Sequence, residues 1–290
     1  MKQLSFFLCQ NVAMIAVTMA APSPPKAPVR PVTDDYFGTK VVDNYRYFED
    51  LKNPEVQAWM KAQADFTRVT LDALPGYQGL LKRIAELSES QPAQVNSVEI
   101  VGGRYYSLGT PAAAQSPKLY VRTGIKGDDR LLIDPEKLPG GDKTHYSIHS
   151  YRPSPDGHYI AYDVAAGGSE ESVLHLFDVQ AGKDLPETLD RAGGDPPWWK
   201  DNTSFFYSRH QKLEAGMPPT DKFKNARDYL HVVGGGFEND PAILGRGVNE
   251  AFALDPVEYP EIVTASGSHY ALAMVSPGTD PRLRIYVAPV

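Results

Sequence analysis

The chain has 290 residues and a net charge of −7, with 42% hydrophobic and 22% charged residues. This composition supports a sizeable core and excludes a globally disordered chain. The acidic balance excludes a nucleic-acid-binding surface, which needs a basic stripe. Twenty-five prolines and 24 glycines favour a turn-rich protein over a helical bundle.

The first 21 residues have the composition of a secretory signal peptide. Lys2 is the only charged residue, and an apolar run over residues 4–20 ends in small residues. We therefore expect residues 1–21 to be removed on export, which places the mature protein in the periplasm or the medium. The alternative is an N-terminal helix that stays on the protein, since Gln10 and Asn11 interrupt the run. A membrane anchor needs roughly 20 uninterrupted apolar residues, so we expect no membrane contact after signal removal.

A proline-rich tether and a helical leader follow. Residues 22–31 contain five prolines and predict an extended tether. In the leader, residues 32–90, Asn53 is a good N-cap with Pro54 at the first helical position. Apolar residues then recur at three- and four-residue spacing, which predicts one amphipathic helix and a second, shorter one. Both helices have an apolar stripe that stays exposed without a partner. The stripes comprise Val56, Trp59, Met60, Phe66, Leu80, Leu81, Ile84 and Leu87.

From residue 91 onward the pattern changes to short strands of period two. A turn followed by an aromatic strand occurs four times, and a further strand follows in most cases. A degenerate unit of roughly 40–50 residues is typical of β-propeller blades; the alternative is an antiparallel sandwich with irregular loops. We predict a mostly β fold in which residues 91–290 form a partial β-propeller of three to four blades. The four aromatic strands begin at Tyr105, Tyr159, Phe205 and Tyr270.

Serine, histidine and cysteine patterns predict no catalytic or metal site. The G-x-S-x-G elbow of α/β-hydrolases does not occur. Ser268 and His269 are neighbours in a predicted hairpin, where adjacent side chains point to opposite faces. His145 and His149 are separated by residues that predict a strand, not the helix of a paired metal site. Cys9 is the only cysteine and lies in the predicted signal.

Carboxylate pairs and a glycine run have ordinary structural interpretations. Residues 34–35 and 170–171 are acidic pairs that we interpret as solvated turns and not as acid/base pairs. Glycines 234–236 are followed by acidic residues, which favours a loop over the helix N-terminus of a phosphate site. We therefore predict no catalytic residue, no cofactor and no metal in this chain.

Several blocks of sequence resemble the prolyl oligopeptidase family of serine peptidases. Residues 35–50, from Asp-Tyr-Phe-Gly to Tyr-Arg-Tyr-Phe-Glu-Asp, are similar to the opening block of that family, and residues 55–63 continue it. In the predicted propeller, residues 154–162 resemble the family's S-x-D-G-K-Y-L-A-Y blade, and residues 205–209 are similar in order and spacing. The match extends from about Pro31 to the end, and the joint order of the blocks is highly specific.

The resemblance implies a serine-type endopeptidase in which a seven-bladed propeller caps an α/β-hydrolase domain. That domain carries the catalytic serine, aspartate and histidine, and the propeller restricts access to short peptides, which are cleaved after proline. The hydrolase domain would be the partner of this chain and would receive the leader helices. The triad would lie beyond Val290, so we expect the chain to be cut short and, alone, inactive.

Two alternatives stay open. The first is a self-standing propeller that binds peptides or a partner protein. The second is a broader oligopeptidase of the same superfamily that cleaves after basic residues. Glycines 193–194 bear on the second alternative, because the family commonly has an aromatic residue shortly before the tryptophan that follows.

Overall fold

The computed structural model describes residues 23–90, 92–112, 114, 116–141, 143–169, 171–192, 195–249, 253–278 and 280–290. The predicted signal peptide and Cys9 therefore lie outside the described residues. The chain divides into two compact units, Met1–Leu87 and Ser88–Val290. In the described part of the chain, no helix is both long enough and apolar enough to span a membrane.

The first unit begins with a hairpin that the sequence analysis did not identify. Strands β1 (Val32–Tyr36) and β2 (Thr39–Asp43) pair in antiparallel register. They are joined by a two-residue turn in which Phe37 and Gly38 both have positive φ, 54° and 85°. That geometry matches the twist of a hairpin, and glycine supplies half of it without strain. The block that resembles the family's opening therefore forms a hairpin, followed by a 3-10 turn at Arg46–Glu49.

Two helices complete this unit, as predicted. Helix α1 (Pro54–Asp72) begins where expected, because the Asn53 side chain accepts the Glu55 amide at 2.9 Å. Helix α2 (Tyr77–Glu89) is shorter, and its apolar residues Leu80, Leu81, Ile84 and Leu87 are 40–59% exposed. The expectation that the stripe of α1 is exposed is wrong for Val56, which is fully buried. Trp59 on the same stripe packs edge-on against Phe48, with ring centroids 4.7 Å apart.

The segment before the hairpin has no regular secondary structure, but it is hydrogen-bonded to the leader. The Tyr47 hydroxyl donates to the Pro28 carbonyl at 2.8 Å, and the Gln63 side-chain amide donates to the Pro25 carbonyl at 2.6 Å. Proline has no backbone N–H, so the prolines of this segment take part in backbone hydrogen bonds only as carbonyl acceptors. Residues 23–31 thus lie against the leader.

The second unit consists of antiparallel strands in chain order. The strands are β3 (Gln94–Val101), β4 (Arg104–Thr110), β5 (Lys118–Thr123), β6 (Arg130–Ile133), β7 (Tyr146–Pro153), β8 (Tyr159–Ala166), β9 (Ser172–Asp178), β10 (Lys183–Leu189), β11 (Trp198–Trp199), β12 (Ser204–Arg209), β13 (Arg227–Val232), β14 (Ala242–Gly245), β15 (Glu258–Thr264), β16 (Tyr270–Pro277) and β17 (Arg284–Pro289). They form four sheets of consecutive strands, β3–β6, β7–β10, β11–β14 and β15–β17. This arrangement of four blades, the last with three strands, confirms the predicted mostly β partial propeller.

The repeated aromatic strand is the second strand of every blade, β4, β8, β12 or β16. The turn before β8 shows why the turn residues matter. Gly157 has φ 68°, and a Cβ there would lie 2.5 Å from the Tyr106 hydroxyl. That hydroxyl donates to the Gly157 carbonyl at 3.0 Å, so the turn of the second blade is bonded to the first blade. Glycine is required for both the positive φ and the close approach.

Apolar clusters fill the space between successive blades. Members include Tyr106, Leu119, Ile160 and Tyr162 in the first cluster, Leu176, Trp199, Phe205 and Phe237 in the second, and Phe206, Leu244, Ile262 and Ala271 in the third. Burial of each large side chain contributes roughly 1.5–3 kcal/mol. The far face of the last blade has exposed Leu272 paired with exposed Val287, and Ile285 is exposed beside them. That face is therefore apolar and uncovered.

Candidate functional site

The first strands of the blades, β3, β7, β11 and β15, lie side by side and form the inner edge of the propeller. The Tyr151 hydroxyl on β7 donates to the Ser97 carbonyl on β3. The Trp199 indole on β11 donates to the Arg152 carbonyl on β7 at 3.1 Å. The Thr264 hydroxyl on β15 donates to the Trp199 carbonyl at 2.6 Å. Short side-chain-to-backbone bonds of this kind fix each inner strand against the next.

Polar and aromatic side chains on these strands meet at one place. The Arg152 guanidinium lies 3.7 Å from the centre of the Trp198 ring and donates to the Pro196 and Pro197 carbonyls at 3.3 Å. The Trp198 indole donates in turn to the Glu261 carboxylate at 2.9 Å. Arg152 is thus held over an aromatic face by cation–π attraction. We call Glu99, Arg152, Asp195, Trp198 and Glu261 the inner-strand cluster.

The inner-strand cluster contains more negative than positive side chains. Burial lowers the pKa of Arg152, whereas Glu99, Glu261 and Asp195 raise it. Arg152 stays charged under these opposing effects, because the pKa of an arginine lies far above neutral pH. Three carboxylates therefore face one guanidinium and one indole. Such a surface is suited to binding polar groups of a ligand, and it contains no hydroxyl or thiol nucleophile.

A small cavity lies beside the cluster, and three cluster residues, Asp195, Trp198 and Glu261, help to line it. Its volume is about 10 Å³, the space of one water molecule, and Trp198, Asp228, Tyr259 and Glu261 are among its lining residues. Burial raises the pKa of Asp228 to about 7, although the Ser208 hydroxyl and the Ile262 amide both donate to it. The Tyr259 hydroxyl is buried without a partner among the described residues. The cavity is too small for any ligand larger than water.

A buried histidine between two carboxylates is the arrangement most similar to part of a catalytic triad. His231 Nδ1 lies 2.9 Å from an Asp240 oxygen, and its Nε2 lies 3.5 Å from Glu187. The ring is fully buried and stacks on Phe237, with centroids 3.9 Å apart. The Tyr207 hydroxyl donates to the same Asp240 oxygen at 2.9 Å. We call Glu187, Tyr207, His231 and Asp240 the histidine latch. Because the imidazole ring is fully buried, no substrate can reach it, and we interpret its role as structural.

The glycine run 234–236 belongs to this latch. The amides of Gly234 and Gly236 donate to the Glu187 carboxylate at 2.8 and 3.1 Å. Successive backbone amides form an anion-binding concavity, and here a side chain of the neighbouring blade occupies it. The predicted loop is confirmed, since the run lies between β13 and a short 3-10 turn.

One serine–histidine hydrogen bond was missed by the sequence analysis. Ser116 Oγ lies 3.1 Å from His145 Nε2. The two residues are 29 positions apart, so no local spacing indicates the pair. Ser116 is 1% exposed, and a nucleophile must reach its substrate. The pair therefore ties two loops together.

The other residues singled out from the sequence are not brought together. Among the residues that the structure describes, Ser268 Oγ bonds to the backbone of Tyr270, at 2.9 and 3.0 Å. His149 lies on β7 and is exposed, so the predicted strand around it is confirmed. Glu171 pairs with Lys222. Across the described ranges, no group of three or more His, Cys, Asp or Glu residues is placed to hold a metal ion.

Comparison with known proteins finds a family model and relatives that include prolyl endopeptidases. Residues 24–258 match the family model described as the prolyl oligopeptidase N-terminal β-propeller domain. The prolyl endopeptidase of Elizabethkingia meningoseptica is 27% identical over 242 residues, which cover 82% of this chain and 34% of that protein. The prolyl endopeptidase of Elizabethkingia miricola is 26% identical over 213 residues, or 73% of this chain and 30% of that protein.

The solved structures agree with this result. One chain from a structural and mechanistic analysis of two prolyl endopeptidases superposes with a TM-score of 0.78 at 25% identity. The superposition covers 92% of this chain and 38% of that chain. The present chain therefore spans about a third of the length of the curated relatives it matches.

Proposed function

The chain belongs to the prolyl oligopeptidase family, as its N-terminal β-propeller domain, and from this premise we propose that it forms the leader and substrate-facing propeller of a serine endopeptidase. The substrates are short peptides. The chemistry is carried out by an α/β-hydrolase domain that supplies serine, aspartate and histidine. The role of this chain is to admit and orient the peptide.

The inner-strand cluster is the observation that carries this proposal. All four successive blades contribute to the inner edge, and Glu99, Arg152, Trp198 and Glu261 come from four different first strands. Polar groups at such an edge contact a peptide that passes along it. The exposed apolar stripe of α2 supports the proposal that a partner domain is present, since exposed apolar stripes of this kind are usually covered by a partner.

A chimera tests the proposal. Residues 31–290 replace the matching segment of the Elizabethkingia meningoseptica prolyl endopeptidase, and hydrolysis of a short proline-containing peptide is measured. We expect kcat/KM within about tenfold of that relative, which corresponds to about 1.4 kcal/mol in the barrier. A chimera that folds with a cooperative melt but shows no turnover would contradict the proposal.

The isolated chain serves as the control, because it should hydrolyse no such peptide. Steady turnover by the isolated chain, abolished by Ser268→Ala or Ser116→Ala, would show that it has its own catalytic centre. Tight peptide binding without turnover in the chimera would favour the self-standing binding module. Comparing peptides with proline and with arginine before the cleaved bond decides between the two substrate preferences.

We also propose that the protein is exported. The support is compositional: one basic residue, an apolar run over residues 4–20 and a small-residue end. N-terminal sequencing of protein from an exporting host should begin near Ala21 or Pro22. An intact Met1 chain in the cytoplasmic fraction would refute export, and replacing Leu8 with arginine should block it by breaking the apolar run.

A further inference from the structure

Two neighbouring pockets lie among the loops of the second and third blades. The larger is a groove of about 780 Å³ between the β8–β9 turn and the long loop before β13. The smaller, of about 340 Å³, shares Arg191, His210 and Gln211 with it. Volumes of 300–1,000 Å³ are usual for binding pockets. The two pockets are therefore adjacent and large enough to hold parts of one ligand.

The smaller pocket is basic. Its lining includes Arg191, Arg209, Lys212 and Arg227, and no carboxylate. Asp190 neutralises Arg191 and Arg209 in part, and Glu238 also pairs with Arg209, at 3.4 Å. Within the described residues, Lys212 and Arg227 make no ion pair, and both are exposed. In a chain of net charge −7, this concentration of cations favours an anionic group.

The larger groove has an apolar wall. Val173, Leu213 and Phe223 line it and are 37%, 38% and 60% exposed. The His210 ring packs edge-on against Phe223, with centroids 5.6 Å apart. These side chains provide a surface against which one bulky apolar side chain can be buried.

Two polar atoms without partners belong to the lining: His210 lines both pockets, and Ser172 lines the larger one. His210 Nδ1 and Ser172 Oγ are buried and have no hydrogen-bond partner among the described residues. Buried polar atoms are normally satisfied, so a ligand amide is a suitable partner. Burial lowers the pKa of His210, and Lys222 and Arg191 lower it further, which keeps the ring neutral at pH 7.

The site is preformed. The His210 amide donates to the Arg191 carbonyl at 3.0 Å, and the Arg191 guanidinium donates back to the His210 carbonyl at 2.8 Å. The Asn225 side-chain amide donates to the Gln211 side-chain oxygen at 3.1 Å, and the Asn225 backbone amide donates to the Pro256 carbonyl at 2.7 Å. Binding to such a loop loses little conformational entropy.

We propose that the two pockets bind the C-terminal end of a short peptide. The free carboxylate enters the basic pocket beside Lys212 and Arg227, and the apolar side chain of the last residue lies against Phe223 and Leu213. The inference rests on the proposed function, because it takes a peptide as the ligand. Recognition of a free end would favour short substrates over internal segments of long chains, independently of any restriction of access by the propeller.

Calorimetric titration of the purified chain tests this assignment. The probes are acetyl-Ala-Ala-Ala-Phe with a free C-terminal acid, the same peptide as an amide, and acetyl-Ala-Ala-Asp-Phe amide. We expect the acid to bind at least tenfold tighter than either amide, because only the acid places a carboxylate next to the last side chain. The acid preference should fall as salt concentration rises.

Variants identify the residues responsible. Combining Lys212→Gln with Arg227→Gln should reduce the affinity for the acid to that for the amide and leave the amide unchanged. Phe223→Ser should weaken both peptides, whereas Lys126→Gln, an exposed cation outside both pockets, should change neither. All are surface positions, and thermal melts check their folding.

Three results would overturn the proposal. These are equal affinity for acid and amide, equal affinity for the terminal acid and the internal aspartate, and no detectable binding of any probe. The outcome is separate from that of the chimera. An inactive chimera would contradict the proposed function, while an intact preference of the chain for the acid would still support the binding site. An active chimera without that preference would support the proposed function and contradict the binding site.

Discussion

Replacing His231 with leucine should lower the free energy of unfolding of the propeller by about 3–5 kcal/mol, the usual effect of removing one partner from a buried charged group. Leucine fills much of the space of the ring, so the packing loss against Phe237 is small. The larger effect is electrostatic. The side chains of Glu187 and Asp240 are only 9% and 8% exposed, and both lose the imidazole between them.

Urea unfolding followed by circular dichroism measures this change. His269→Leu is the matched control, because His269 is exposed in the β15–β16 turn and should change stability by less than about 0.5 kcal/mol. Glu187→Gln should be intermediate, since the Gly234 and Gly236 amides donate to different oxygens of Glu187 and the glutamine oxygen can still accept one of them. A loss below about 1 kcal/mol for His231→Leu would show that the latch does not hold the two blades together.

Much of the fold could be predicted because its signals are local. The Asn53 cap and the three-to-four spacing after Pro54 place α1, and both depend on residues within one or two turns. The four turn-and-aromatic-strand repeats place the second strand of each blade, because a hairpin is specified by adjacent residues. The β1–β2 hairpin was missed because its turn, Phe37-Gly38, puts a bulky residue at a positive φ that usually favours Asn or Gly.

The sites could not be predicted, since their residues come from distant strands. Trp198 and Glu261 are 63 positions apart, and Glu187 and Gly234 are 47 apart. Neither pair shows periodicity or spacing in the sequence. The four repeats and the resemblance of residues 154–162 to one family blade predicted the propeller, whereas the contact between Arg152 and Trp198 is seen only in the structure. Sequence patterns therefore predicted the blades, whereas the geometry of the inner edge could be determined only from the structure.

We expect the native protein to lose stability between pH 6 and pH 8.5, and we expect Asp228→Asn to remove this loss. Burial raises the pKa of Asp228 from an ordinary 3.8 to about 7. Between these two values the folded protein binds a proton that the unfolded chain releases, so stability falls as the pH rises and levels off above pH 7. A shift of this size corresponds to about 4 kcal/mol between the two protonation states.

Asparagine resembles the protonated acid and has no proton to lose. It can still accept the Ile262 amide, which donates to Asp228 across the interface of the third and fourth blades. We therefore expect Asp228→Asn to match the native protein near pH 6 and to melt at a higher temperature at pH 8.5. Burial also raises the pKa of Asp163, to about 6, so the comparison starts at pH 6.

Thermal melts of the native chain and the variant at four pH values between 6 and 8.5 provide the measurement. Asp178→Asn is the control, because hydrogen bonds, first of all from the Ala181 amide, hold the pKa of Asp178 below its ordinary value. A group with a lowered pKa is fully ionised above pH 6 in both states, so this variant should lower every melting temperature equally. Parallel curves for the native protein and Asp228→Asn would show that Asp228 does not titrate in this range, and the interface between the third and fourth blades would then be insensitive to pH.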